Sequence, residues 1–251
     1  MKNIKVSSYA SKEEASQREE LFKLFRQCPI PDNEILSNLG LFLKRQSLTR
    51  ILFMNSLYKI ALDTHGIVIE FGVRWGQNLA LFESFRGMYE PYNHNRKIVG
   101  FDTFEGFPSI DEKDGQADEC KVGAFSVTEG YEEYLEQILN YHEQESPISH
   151  IKKFQLVKGD AAVEIVRYLN DNPETVIALA YFDLDLYTPT KKCLEAIIPH
   201  LTKGSVVGFD ELNAHAFPGE TLALKEALGL DKYKIVQSPY ISGACSYIVI
   251  D

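Results

Sequence analysis

Basic charge is in short supply in this 251-residue chain: 26 Lys and Arg stand against 36 Asp and Glu, a net charge of −10 with histidine neutral. No segment gathers the Lys and Arg that a phosphate backbone demands, which argues against a nucleic-acid partner. Cysteine is sparse too. Cys28, Cys120, Cys193 and Cys245 lie far apart and none falls in a C-x-x-C pair, so zinc ribbons and thioredoxin-type motifs are excluded. Such scattered cysteines fit free, mostly buried thiols in a reducing compartment. Lys121 and Lys192 adjoin Cys120 and Cys193, but none of the four lies in a motif that marks a catalytic thiolate. No apolar run approaches the roughly 20 residues of a membrane helix. The opening MKNIKVSSYASKEEASQREE lacks the apolar stretch of a secretory signal. The expectation is a cytoplasmic protein with no membrane contact. Internal repeats and low-complexity tracts are absent as well.

What is present suits a globular domain: 45% hydrophobic and 25% charged residues, on a chain long enough to bury one generous core. The first sixty residues read as helix. Lys12–Gln27 carries Leu21, Phe22, Leu24 and Phe25 among charges, Pro29 and Pro31 then interrupt, and Leu39–Leu62 is apolar at mixed three and four spacing. The last stretch reads as one or two packed helices. We therefore divide the chain into an N-terminal helical segment, residues 1–62, and a main domain, residues 63–251.

From His65 the pattern changes. Short β-branched runs occur at Ile67–Phe71, Lys97–Phe101, Phe154–Val157, Val176–Phe182 and Ser205–Phe209, with helical patterns at Asn78–Phe85, Tyr131–Tyr141, Val163–Asn170, Thr190–His200 and Glu220–Leu228 between and after them. Strands alternating with helices predict a parallel sheet with helices on both faces. The last two strand candidates, Lys234–Gln237 and Ser246–Ile250, are separated by only eight residues around Pro239 and Gly243. That is too short for a helical crossover and predicts an antiparallel hairpin. The expected fold is α/β and Rossmann-like, a seven-stranded and mostly parallel sheet closed by that hairpin.

Acids mark the strand ends. Glu70 lies near the end of the first strand, and Asp102, Asp160, Asp183 and Asp210 end or follow the next four. Ligands of open α/β sheets bind beyond the carboxyl ends of the strands. Any one of these residues has an ordinary reading as a helix N-cap; five in succession converge on one crevice.

The first strand–helix turn reads Glu70-Phe71-Gly72-Val73-Arg74-Trp75-Gly76. It is neither the G-x-G-x-x-G of a dinucleotide site nor a P-loop. Its glycines permit a tight turn and close backbone approach, while Glu70 suits a cationic ligand group such as an α-amino group or a sulfonium. Asp102 is placed to accept from ribose hydroxyls, and Gly159-Asp160 to accept from an adenine amino group. Amine, ribose and adenine are the parts of S-adenosylmethionine.

Four segments now carry a family resemblance: Glu70-Phe71-Gly72-Val73 with Gly76; Asp102-Thr103-Phe104-Glu105-Gly106-Phe107-Pro108; Asp183-Leu184-Asp185-Leu186-Tyr187-Thr188-Pro189-Thr190; and Phe209-Asp210-Glu211. Together and in this order they resemble the macrocin O-methyltransferase (TylF) family of class I S-adenosylmethionine-dependent methyltransferases, over roughly Leu39 to Asp251. The resemblance implies an O-methyltransferase. Glu70, Gly72, Val73, Gly76 and Asn78 would line the methionine end of the cofactor. Asp102, Thr103 and Phe104 would meet the ribose, and Gly159, Asp160 and Ala161 the adenine, with Asp183 closing the cofactor site. It also implies a divalent metal, usually magnesium, on Asp183, Asp210 and Glu211. Many members carry two aspartates where this chain has Asp210-Glu211.

The residues make a parallel argument of their own. Asp183, Asp185, Asp210 and Glu211 at neighbouring strand ends repel one another unless protonated or bridged by a cation. An all-oxygen donor set with no cysteine nearby points to Mg²⁺ or Ca²⁺ rather than zinc. The competing reading makes them helix caps and a solvated pair. Asp185, two residues past Asp183 and on the same side of an extended backbone, is the first candidate for general base, and His215 the second. Tyr187, Tyr240, Phe107 and Phe217 are expected to shape the acceptor pocket, and Asp111–Gly130 to form a loop over the crevice able to exclude water.

The acceptor class follows from the resemblance: a hydroxyl of a sugar, glycan, capsule or secondary-metabolite building block. A phosphorylated or phosphoramidate-type oxygen remains an alternative acceptor. A nucleotide-sugar or NAD-binding oxidoreductase or epimerase, or a non-catalytic binding module, remains an alternative of another class. The expected partners are a small-molecule acceptor and a second copy in a homodimer, and the N-terminal helices are a lid, an acceptor contact or a dimer contact.

Overall fold

A computed structural model describes residues 11–240 and 245–251; the first ten residues and the hairpin tip with Gly243 lie outside the described residues. The chain opens with helix α1 (Lys12–Arg26), short α2 (Asp32–Ile35), a 3₁₀ stretch Leu36–Phe42 and α3 (Arg45–Ala61). Ser11 and Glu14 start α1 as a reciprocal capping box. Strands and helices then alternate: β1 (Ile67–Phe71), α4 (Gln77–Tyr89), β2 (Ile98–Asp102), α5 (Tyr131–Glu145), β3 (Phe154–Lys158), α6 (Ala161–Asp171). They continue with β4 (Ile177–Phe182), α7 (Tyr187–Ile197), β5 (Leu201–Phe209), α8 (Gly219–Ala227), β6 (Val236–Gln237) and β7 (Ser246–Val249).

Among the described residues the seven strands form one sheet in the order β3-β2-β1-β4-β5-β7-β6. The first five run parallel and β7 runs antiparallel to β5 and β6. The sheet is therefore the Rossmann-like one expected. Its order reverses at β1, which pairs with β2 on one side and β4 on the other, and ligand crevices open at such a reversal.

Two adjustments have local causes. The expected helix from Thr190 starts three residues earlier, at Tyr187, because Pro189 sits in its first turn, where the missing N–H costs nothing. The apolar stretch from Leu39, expected as one or two packed helices, is the end of a 3₁₀ stretch followed by one long helix.

The sheet's two faces carry two cores. Ile69, Phe71, Phe101, Phe182 and Phe209 pack on the side of α6, α7 and α8, while Val68, Leu179 and Tyr181 pack with α3, α4 and α5. The period-2 alternation of a strand sends neighbours Tyr181 and Phe182 to opposite faces. The four phenylalanines Phe101, Phe71, Phe182 and Phe209 form a row across β2, β1, β4 and β5, with ring centroids 5.4, 4.8 and 5.3 Å apart. They are also register partners. The row makes a dry floor at one level, so that Gly72, Asp102, Asp183 and Asp210, the next residues along their strands, emerge at a common rim.

No residue of α1, α2 or the 3₁₀ stretch is buried, and Phe22, Leu24, Leu36 and Leu41 are exposed apolar side chains there. In contrast, α3 buries Phe53, Met54, Leu57, Tyr58 and Ala61 in the same core as the sheet. Arg50 stands one turn before Phe53 and Met54 on that face, level with the strand ends.

Candidate active site

Beyond the strand ends lies a cavity of about 560 Å³. Its wall on the β1 side begins with Gly72, whose φ of +88° and closeness to the Asp183 carbonyl leave no room for a side chain. Gly72, Val73, Gly76 and Asn78 all line the cavity. Glu70 does not, a correction to its expected place in the wall: it is 1% exposed, one layer behind, where Oε1 accepts a hydrogen bond from Asn78 Nδ2 at 2.8 Å. Burial pushes its carboxyl well above the usual range, against the pull of the Asn78 N–H. Glu70 Oε2 and Asn78 Oδ1 are buried acceptors with no donor among the described residues. A buried orphan acceptor is costly, and Asn78, which lines the cavity with Glu70 behind it, suits the ammonium of an amino-acid ligand. The residues present thus fit the methionine end of S-adenosylmethionine.

Asp102 and Thr103 line the next part of the wall. Asp102 Oδ2 accepts from Arg74 N at 2.8 Å and Oδ1 from Phe104 N at 2.5 Å. Burial raises its pKa, and those backbone N–H groups oppose the rise. Each oxygen keeps a further lone pair for a vicinal diol. Asp160 and Ala161 also line the cavity, and Asp160 caps α6 by accepting from Ala162 N; here the capping and site readings hold together. Phe104 and Gly159 are not in the wall. They shape its backbone, Phe104 with φ +57° and Gly159 by donating its N–H to the Asp102 carbonyl.

On the far side stand Asp183, Asp185, Asp210 and Glu211, all in the wall. Burial and the neighbouring Asp210 charge push Asp183 up to about 7, Arg50 opposing. Burial and the Asp183 charge push Asp185 well above the usual carboxylate range, and burial with Asp210 lifts Glu211 to about 7. Asp210 differs. Burial alone would raise it, but Arg50 outweighs that and holds it below its ordinary value.

Arg50 was not anticipated from the sequence. Its Nη2 donates to Asp210 Oδ1 at 2.7 Å and Oδ2 at 2.8 Å, and its Nη1 lies 3.4 Å from Asp183 Oδ2. Asp210 Oδ1 further accepts from the Tyr181 hydroxyl at 2.7 Å and the Cys245 thiol at 3.2 Å. The implied metal set is therefore not a chelate here. Asp210 spends both oxygens on four hydrogen bonds from three donors, and a divalent ion at this mouth would face the guanidinium that already occupies it. Among the described residues no three His, Cys, Asp or Glu side chains group as a metal site. As arranged here, with Asp210 paired to Arg50, these donors do not fit a resident Mg²⁺.

A second unanticipated residue is Glu220, fully buried on α8. Its Oε1 accepts from Leu184 N at 3.2 Å and its Oε2 from Glu211 N at 3.0 Å. One carboxylate thereby ties the loop after β4 to the loop after β5 and sets the spacing of the acids each carries. The signal lay in Phe217-Pro218-Gly219-Glu220-Thr221: a Cβ on Gly219 would stand 2.5 Å from Tyr187 N and 2.8 Å from the Asp185 carbonyl.

The acceptor-side expectations divide. Phe107 and Phe217 line the cavity together with Phe125, which bridges them at ring distances of 5.2 and 6.4 Å. Tyr187 does not. Because α7 begins with it, its ring turns toward α8, its hydroxyl donating to Glu226 at 2.6 Å with Lys113 over the ring. Tyr240 stands exposed beyond β6, outside the wall. His215 is exposed in the loop after β5 and does not line the cavity, which removes it as a base in this arrangement. The Asp111–Gly130 stretch is pinned at its start. Asp114 accepts from Tyr187 N and Asp111 from the Thr188 hydroxyl, while Phe125 supplies wall.

Among solved structures, that of CalS11, a calicheamicin methyltransferase, shares 46% identity, covering 96% of this chain and 94% of that chain with a TM-score of 0.93. The apo structure of CalS11, described as a TDP-rhamnose 3'-O-methyltransferase of calicheamicin biosynthesis, shares 44% identity over 96% of each chain, TM-score 0.85. The O-methyltransferase NovP, at 18% identity and TM-score 0.58 over 80% of this chain and 79% of that chain, shares the fold. No family model matches the chain, and no curated protein matches it.

Proposed function

This chain belongs to the TylF-like sugar O-methyltransferase group that includes CalS11, and we propose that it methylates a hydroxyl of a sugar carried on a nucleoside diphosphate. It is an S-adenosylmethionine-dependent O-methyltransferase. End-to-end likeness to an enzyme that acts on TDP-rhamnose supports the acceptor class. The observation that carries the reading is the division of one cavity: unsatisfied and ribose-competent acceptors line the β1–β2–β3 side, and the Asp183–Asp185 pair lines the β4–β5 side.

S-adenosylmethionine supplies an electrophilic methyl on a sulfonium, so that the acceptor oxygen gains an O–CH₃ bond as the S–CH₃ bond breaks and a neutral thioether leaves. The chain has three tasks. The Gly72–Val73 turn with Asp102 and Asp160 orients the nucleoside and the amino acid. Asp185 takes the hydroxyl proton; burial makes it a stronger base than a free carboxylate, which suits an alcohol. Phe107, Phe125 and Phe217 exclude water and offer apolar faces to the sugar ring. Gln46 and Ser47 of α3 complete the acceptor wall, so the N-terminal segment serves as an acceptor contact.

The test is product analysis by mass spectrometry with S-adenosylmethionine and a panel of TDP-sugars, free rhamnose and a catechol. Formation of a mono-methylated TDP-sugar with stoichiometric S-adenosylhomocysteine, lost in Asp185→Asn, is expected. Methylation of the catechol or the free sugar with no TDP-sugar product would overturn the acceptor class.

A further inference from the structure

We propose that Arg50, delivered by α3, is the built-in cation of the acidic mouth and that it takes the place of a bound divalent metal ion. This location rests on the active-site reading above; the cation's identity does not depend on which acceptor is used.

Four carboxylates, Asp183, Asp185, Asp210 and Glu211, share one cavity wall. Charges so placed need a counter-charge held in fixed geometry. Arg50 supplies it. Its guanidinium meets both oxygens of Asp210 at 2.7 and 2.8 Å and reaches Asp183 at 3.4 Å, bridging the ends of β4 and β5. Nη2 serves both oxygens of Asp210 while Nη1 reaches Asp183, so one planar guanidinium spans two carboxylates, which the single nitrogen of a lysine does not do in fixed geometry.

The arrangement is fixed from behind as well. Phe53, Met54, Leu57 and Tyr58 anchor α3 in the core on the same helical face, so the guanidinium arrives positioned rather than searching for its partners. The Tyr181 hydroxyl and the Cys245 thiol complete the shell of Asp210. Mg²⁺ demands near-octahedral oxygen ligands at about 2.1 Å. Here it would have to break the Arg50–Asp210 pairing and then sit beside the displaced guanidinium. Asp185, by contrast, has no ion-pair partner among the described residues, which leaves it as the carboxylate free to take a proton.

Manganese binding decides the matter without any acceptor. Mn²⁺ is titrated into the purified chain and followed by electron paramagnetic resonance, with S-adenosylhomocysteine binding read in parallel as a check on folding. The wild type is expected to hold no stoichiometric Mn²⁺. Arg50→Met, which uncovers the acids, is expected to gain one site. Arg50→Lys, which keeps a charge, is expected to bind at least about tenfold more weakly than Arg50→Met. One tight Mn²⁺ on the wild type overturns the proposal, and so does the absence of Mn²⁺ from a folded Arg50→Met or equal binding by the two variants. If Arg50→Met does not fold, the wild-type titration and Arg50→Lys decide. A parallel assay reads turnover after chelation: unchanged activity agrees, whereas activity lost to EDTA and restored by Mg²⁺ contradicts. Failure to methylate any TDP-sugar would leave the Mn²⁺ result standing, so failure of the acceptor reading and failure of this proposal are told apart.

Discussion

At Gly72 the chain passes from the dry floor of the sheet into the cavity, and a single added carbon would stand 1.9 Å from the Asp183 carbonyl. Gly72→Ala is therefore expected to separate β1 from the β4 loop and to cost S-adenosylhomocysteine affinity in a calorimetric titration; unchanged affinity would contradict the close approach. Asp102 is a different case, since its carboxylate already accepts two backbone N–H groups. Asp102→Ala should weaken the same ligand by roughly 1.5–3 kcal/mol, the worth of a hydrogen bond to a charged group. The acids of the mouth set the pH response. Asp183 titrates near 7 and Asp185 above the usual carboxylate range, so the ionised forms needed to accept a proton are lost as pH falls. A plot of kcat/KM against pH should drop on the acid side with its midpoint above the usual carboxylate range. A profile that stays flat down through the usual carboxylate range would rule this out.

The elements explain why these residues meet. Parallel pairing in level register brings Phe101, Phe71, Phe182 and Phe209 into one row, and the acids follow directly after it. Phe182→Ala removes the central ring between two neighbours and is expected to cost about 3–5 kcal/mol in denaturant unfolding; a loss below about 1 kcal/mol would deny the floor its structural role. Much of this was legible in the sequence, because each of the five parallel runs carried an acid near its end or was closely followed by one. The contribution of α3 was not. Arg50 occupies the register of an apolar stripe shared with Phe53, Met54 and Leu57. A lone charge in such a register announces a buried partner, but nothing local says that the partner lies 160 residues away. Tyr187 misled for the reverse reason. It is next to the motif acids in sequence, yet a helix beginning at that residue turns its ring onto α8. His215 and Tyr240 lie near the site in chain order, and the exposed loops that carry them end outside its wall.

At the scale of the whole molecule, one sheet with a core on each face presents a cavity at its order reversal, and α3 adds the guanidinium that pairs with Asp210. Folding and ligand binding are linked through this cavity. S-adenosylhomocysteine at a hundredfold over its Kd should stabilise the chain by about 2.7 kcal/mol, read as an upward shift of the thermal midpoint. The account as a whole turns on two ligands sharing that space in a fixed order. A crystal structure of the ternary complex with S-adenosylhomocysteine and a TDP-sugar tests it most directly. The nucleoside should lie between the Gly72–Val73 turn and Asp160, with its ribose on Asp102 and one sugar hydroxyl facing Asp185. Density for the nucleoside on the β4–β5 side, or for the sugar outside this cavity, would contradict it.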